Sequence, residues 1–402
     1  MKRTISIGKE YASANEAVSQ TISTDKVQRV ENIDLLRGFV IVLMALDHVR
    51  FFFSTANFDP MDMTQTSPLW FMTRWITHLC APSFIFLAGM GMGYSNKPKE
   101  KLGPFLLSRG IWLVFLEITI INFGWGAGFV GGTTMLGVLW ALGVSMIFMS
   151  VGIYMNRKIL LILCLGLVIG HNLLDTYDEG LMYALGISWS ILHKQHSFNF
   201  LGQQVYLIYP LIPWVGLMGL GYLMGKWQRL RENPKLYLKM GLSLIFMFTI
   251  LRLGSFYGDS KQWSDSHSGI FSFLSFIKVS KYPPSLHYLL ITLGISCSLL
   301  FFLRKLKGFP AFILGTFGRV PLFFYVLHIP FIHALAVIWF NTFHGLELNW
   351  WLSAKRLPHE TLSPNLLTVY LAWLLTLILL FPLVKKYDGY KSRTKSWWVG
   401  YL

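Results

Sequence analysis

The chain has 402 residues, 54% of them hydrophobic and only 13% charged, with a mean hydropathy of +0.51. A soluble protein needs a largely polar surface, so this composition excludes a water-solvated fold and points to one solvated by lipid. The formal net charge of +16 raises nucleic acid as a partner, but the placement of the cations excludes that class.

At about 20 apolar residues per crossing, the sequence predicts an all-α polytopic membrane protein with about ten transmembrane helices. They lie near 33–54, 69–95, 104–124, 133–154, 159–174, 206–225, 235–254, 285–303, 312–341 and 366–384. A polar segment over 1–30 precedes a transmembrane domain over 31–385, and a basic tail follows over 386–402. The first segment has no apolar h-region and no cleavage signature, so the first span is expected to serve as the insertion signal.

That first span, "LRGFVIVLMALDHVRFFF" at 35–52, carries Arg37, Asp47, His48 and Arg50. Each Asp or Arg costs about 2.5 to 3.5 kcal/mol at the centre of a membrane helix, so something must offset the insertion. Arg37 and His48 are close to three helical turns apart and share a face, about 16 Å apart along the axis. Asp47 and Arg50, at i and i+3, are spaced for a simple ion pair.

Further along, the segments 175–204, 255–284 and 342–364 are too short for separate domains but long enough to roof a cavity. Their Trp189, Trp263, Trp350 and Trp351 suit an interfacial aromatic belt first and sugar stacking second. In "KYPPSLHYLL" at 281–290, two prolines precede a span that carries His287 and Tyr288. In "FGRVPLFFYVLHIPFIH" at 317–333, Pro321 and Pro330 are expected to break the helical ladder on either side of Tyr325 and His328. Such a break suits a cavity wall.

With a cytoplasmic N-terminus, the inner segments hold 23 of the 35 Lys and Arg, the outer loops six and the spans six. This obeys the positive-inside rule, so the charge encodes orientation and both termini are expected in the cytoplasm. None of the eleven His falls in an inner loop: His48 and His287 lie toward the outer ends of their spans, and His78 and His328 nearer the middle. Imidazoles around an outward-opening cavity are what acid–base chemistry at neutral pH needs. Alternatively, each only bonds a neighbouring helix. Cys80, Cys164 and Cys297 lie within spans without C-x-x-C pairing, which argues for packing roles and against a disulfide framework or a metal site. There is no Walker motif, no H-E-x-x-H and no G-x-S-x-G.

The stretches "IDLLRGFVIVLMALDHV" at 33–49, "APSFIFLAGMGMGY" at 81–94, "LGVLWALGV" at 136–144 and "VPLFFYVLH" at 320–328 resemble the heparan-alpha-glucosaminide N-acetyltransferase catalytic domain family, in which bacterial members are often uncharacterised membrane proteins. The spacing of Arg37 and His48 also resembles the related acyltransferase-3 membrane proteins, typified by Arg, ten residues and His in the first span. Mammalian members of the first family place their proposed catalytic His after the first span, where residues 55–68 here contain none. The carry-over therefore rests on His48 and His328.

The resemblance implies transfer of an acyl group, acetyl first, from acetyl-CoA or another acyl-CoA to a sugar or glycan hydroxyl or amine across the membrane. Arg37, Arg109, Arg319 and the loop "KPKEK" at 97–101 would meet the phosphates of the donor. His48 would act as general base, with Asp47 or His328 orienting it. His287, Tyr288, Tyr325 and His78 would line the acceptor side. The expected partners are acyl-CoA, a glycan or glycolipid and the bilayer, the expected location is a bacterial inner membrane, and the sequence leaves a homo-oligomer open. A secondary transporter of a small polar solute is the rival reading, since ten spans with embedded charges also describe carriers. It lacks an internal repeat, because the Pro-flanked His of 317–333 has no counterpart in the first half.

Overall fold

The structure is a computed structural model that describes residues 32–128, 132–265, 268–353, 364–394 and 396–401. The polar segment expected at 1–30, together with His267 and His359, lies outside the described residues.

The helices are α1 (32–53), α2 (Pro68–Tyr94), α3 (Lys99–Gly124), α4 (Val138–Gly152), α5 (Arg157–Leu185), α6 (Ile212–Lys226), α7 (Lys235–Gly254), α8 (Gly269–Ile277), α9 (Leu286–Lys305), α10 (Gly308–Arg319), α11 (Pro321–His344) and α12 (Leu366–Arg393). Seven of these, α2, α3, α5, α7, α9, α11 and α12, are long and apolar enough to cross a membrane. Over residues 32–53, α1 rises about 33 Å and is long enough to cross, though it carries four charged residues. Large apolar side chains stand exposed on the outside of these helices, among them Ile162 (69%), Phe246 (67%) and Ile378 (67%). Such a surface is stable against acyl chains and not against water.

Three expected spans differ from the sequence reading. The stretches 133–154 and 206–225 each begin in a strand: β1 (Thr133–Leu136) and β3 (Gln203–Leu207) join β2 (His196–Phe200) in a sheet of order β1-β3-β2. β1 runs parallel to β3 and β2 antiparallel to it. Thr, Val and Tyr favour extended backbone, and Pro210 delays the start of the helix, which begins at Ile212 with Pro213 in its first turn. As a result α4 and α6 have 15 residues each, about 22 Å, and fall short of the roughly 30 Å hydrocarbon core. The span 312–341 is two helices, α10 and α11, separated at Val320 (φ −129°, ψ 52°). Pro321 causes this, since the residue before a proline is pushed out of helical geometry. Pro330 does not break α11, so the expected interruption on both sides of His328 occurs on one side only.

α1 is the hub of the bundle. Its backbone accepts hydrogen bonds from Cys80 Sγ of α2 at Val40 O (3.5 Å) and from Trp373 Nε1 of α12 at Val42 O (2.9 Å). α10 crosses it so closely that a methyl group on Gly38 would collide with the Leu314 carbonyl, and one on Gly318 with the Asp34 carbonyl. This close approach brings Arg37 and Arg319 to the same end of the bundle.

Candidate active site

Near the other end of α1, His48 meets His328 of α11. His48 Nδ1 and His328 Nε2 are 2.7 Å apart, and the rings stack at 4.9 Å and 17°. His328 is fully buried, with its Nδ1 3.0 Å from Phe324 O and 2.8 Å from Tyr325 O. A carbonyl only accepts, so His328 Nδ1 must carry a proton. With His328 neutral, its Nε2 accepts and His48 Nδ1 donates; these protons are assigned from the hydrogen-bond network. The lone pair of neutral His48 is thereby placed on Nε2, which bonds to no described residue. Trp125 meets the His48 ring edge-on at 4.9 Å and Tyr325 at 6.4 Å.

The Asp47 carboxylate makes no described hydrogen bond to His48. Its carboxylate receives Arg74 Nη1 of α2 on both oxygens (2.6 and 2.8 Å) and Arg50 Nη2 at 3.0 Å. The i, i+3 pair foreseen in the sequence is present, and Arg74 joins it. The sequence signal for Arg74 was a lone cation in an apolar span, but nothing in sequence pairs it with a residue 27 positions away.

The three arginines expected at the donor end come together. Arg37, Arg109 and Arg319 line a cavity of about 340 Å³ with Lys97 and Lys391, and among the described residues its wall includes no carboxylate. Arg37 is held by Asp34 Oδ1 and Leu87 O, each at 3.1 Å. Arg319 is gripped by Asp388 through Nε and Nη2 at 2.7 to 3.0 Å. Lys97 belongs to the basic loop noted in the sequence, whereas Lys391 arrives from the far end of the chain on α12. Leu113, Val138 and Leu139 give the cavity an apolar wall, and Tyr325 also lines it. Tyr325 therefore touches both the cavity and the surroundings of His48.

The remaining expected residues make no described hydrogen bond to the histidine pair. His78 and Tyr288 pair with each other: the Tyr288 hydroxyl donates to His78 O at 2.9 Å and the rings meet at 5.5 Å. His287 packs beside Gly258 and edge-on to Phe248 at 5.9 Å. Glu117, which the sequence reading passed over, is buried inside α3 and accepts Gly137 N at 3.0 Å and Leu139 N at 2.9 Å. It caps the free amides of α4 where no water can. The interfacial belt is corrected for Trp189, which is 5% exposed and donates to Asp178, while the partly buried Trp350 stacks on His333 at 4.1 Å. Asp175, Asp178 and His193 gather closely enough to hold a metal ion. However, His193 already directs Nδ1 at Asp178 and Nε2 at His171 O, each at 3.0 Å, which accounts for the cluster by hydrogen bonding.

Apolar helices around a paired-histidine centre, with Tyr325 between it and a basic cavity, define a polytopic membrane protein with a buried polar site. The chain belongs to the heparan-alpha-glucosaminide N-acetyltransferase, catalytic, family, whose model matches residues 29–257. No curated protein matches it. Membership of this family implies a membrane-embedded acetyltransferase. The matched region contains Arg37, His48 and Arg109, whereas Arg319, Tyr325 and His328 lie beyond it.

Proposed function

We propose that the protein transfers an acetyl group from acyl-CoA, bound on the cytoplasmic side, to a hydroxyl or amine of a glycan on the opposite face. The observation that carries this reading is that Tyr325 lines the five-cation cavity and also meets the ring of His48, which pairs with His328. The cations suit the phosphates of the donor, and the apolar wall suits its pantetheine arm. The axial rise of about 16 Å from Arg37 to His48 is of the order of that arm. At the far end the acceptor oxygen or nitrogen attacks the thioester carbonyl as His48 Nε2 takes its proton. The C–S bond breaks, and the CoA thiolate leaves and recovers that proton from the imidazolium. We favour this direct transfer over an acetyl-histidine intermediate, because it needs one chemical step and uses His in its commonest role.

Calorimetry of acetyl-CoA against the detergent-solubilised protein tests the donor. Arg37→Ala is expected to weaken binding by roughly 10- to 100-fold, the loss of one charge-assisted contact of about 1.5 to 3 kcal/mol. Unchanged affinity would leave Arg37 as no more than the structural partner of Asp34.

The orientation rests on the 23 to 6 split of loop cations. Both termini and 226–235 are then cytoplasmic, with 55–68 and 342–364 outside, and a bacterial inner membrane fits an acceptor in the envelope. Cysteine labelling of a Cys-free variant in intact cells should reach 55–68 and spare 226–235. Labelling of 226–235 from outside would overturn the arrangement.

A further inference from the structure

The chain ends in a short helical turn, Trp397–Tyr401, that folds back onto α3 beside the basic cavity. Arg109 Nη1 donates to the Gly400 carbonyl, and Ser108 Oγ and Tyr401 OH are 2.7 Å apart. The Tyr401 ring meets Phe105 edge-on at 5.8 Å, while Lys97 Nζ lies 3.9 Å from the centroid of that same Phe105 ring. Trp398 stacks on Tyr390 of α12 at 5.8 Å, and Val399 is buried. Phe105, Arg109, Lys97 and Lys391 all line the cavity. The turn thus bridges α3 and α12 at the cationic end of the cavity.

The three arginines of the cavity are held differently. Arg37 and Arg319 each have a carboxylate, Asp34 and Asp388. Among the described residues Arg109 has none, and its partner is the neutral carbonyl of Gly400. A guanidinium has five N–H donors, so one bond to a carbonyl fixes the plane without neutralising the charge or using up the donors. A flexible arginine loses about 2 kcal/mol of rotamer entropy when a ligand orders it, a cost that an existing anchor reduces.

We infer that the C-terminal turn is part of the donor site, where Gly400 and Tyr401 position Arg109 for the phosphates of acyl-CoA. This rests on the acyl-CoA reading above. Gly400 is a positioning residue that acts on Arg109 directly, and Tyr401 is one that acts indirectly, by anchoring the turn to Ser108 and Phe105. A bond made by a backbone carbonyl is not removed by changing its side chain, so the informative variant lacks residues 395–402.

CoA affinity is measured by calorimetry in detergent for the full chain, the shortened chain, Arg109→Ala, and the shortened Arg109→Ala chain. The thermal midpoint of each is recorded alongside. Shortening is expected to weaken CoA about tenfold in the wild-type background and to cost nothing further in the Arg109→Ala background, the non-additivity of groups that act as a unit. Arg37→Ala, which is anchored elsewhere, should keep the tenfold effect of shortening. Tyr401→Ala should lie between the full and the shortened chain. Unchanged or tighter CoA binding on shortening would overturn the inference, the latter by making the turn a plug. An equal loss with and without Arg109 would overturn it too, by showing only general loosening of α3. If the full chain itself does not bind CoA, the donor reading fails and this inference falls with it. Binding by the full chain without the expected non-additivity removes the inference alone.

Discussion

His48→Ala is expected to reduce acyl transfer by about 10²- to 10⁴-fold, the usual contribution of a positioned general base, while leaving CoA affinity nearly intact. The two effects separate because the cations of the donor cavity sit about three helical turns from the imidazole along α1. Single-turnover kinetics with acetyl-CoA and an acceptor glycan, set beside calorimetry, measure both. His328→Ala should cost less than His48→Ala, since it removes the acceptor of the 2.7 Å bond that places the His48 lone pair on Nε2 and not the lone pair itself. Incubation with acetyl-CoA and no acceptor, followed by mass spectrometry, distinguishes the two chemical routes. A stoichiometric acetyl-imidazole at His48 would replace direct transfer by a two-step route. Wild-type turnover in His48→Ala together with none in His328→Ala would move the chemistry to α11.

Arg74→Met is expected to destabilise the protein by about 3 to 5 kcal/mol, read as a lowered unfolding midpoint in detergent. Removing one partner of a largely buried ion-pair network leaves the rest under-compensated, since Asp47 would keep Arg50 but lose its two-oxygen contact with Arg74. The loss should also lower turnover, because the Asp47–Arg74 bond ties α1 to α2 one residue from His48. Adding Asp47→Asn to Arg74→Met should not restore the stability, since Arg50 would then lose its carboxylate in turn. A midpoint unchanged in Arg74→Met would show that Arg50 and the surrounding groups suffice.

Sequence and structure agree most closely where a single helix carries the information. The eleven-residue spacing of Arg37 and His48 translated directly into a shared line along α1, because α1 is unbroken over 32–53. Arg109 and Arg319 were legible as cations stranded in apolar spans, and both reach the cavity. Asp47 was legible only in part, since its i, i+3 partner is local and its stronger partner is on another helix. His78, Tyr288 and His287 show where pattern reading stops. A buried polar residue on an apolar helix says that something must satisfy it, but not which neighbour, and here the neighbours are one another or a distant loop.

What the sequence determined by itself was the membrane, through apolar runs long enough to cross it, and the expected orientation, through the bias of loop cations. Both are properties of local composition, because a bilayer selects for length and charge one segment at a time. Tertiary structure alone decided that His48 pairs with His328, 280 positions away, that Lys391 lines the same cavity as Arg37 and Lys97, and that Gly400 and Tyr401 contact its wall at Arg109 and Phe105. It also decided that two stretches apolar enough to read as spans begin in a small sheet. Those outcomes depend on which helices pack together. Packing between membrane helices is set by close backbone approaches, such as α10 over Gly38, and by polar contacts that no repeat in the sequence encodes.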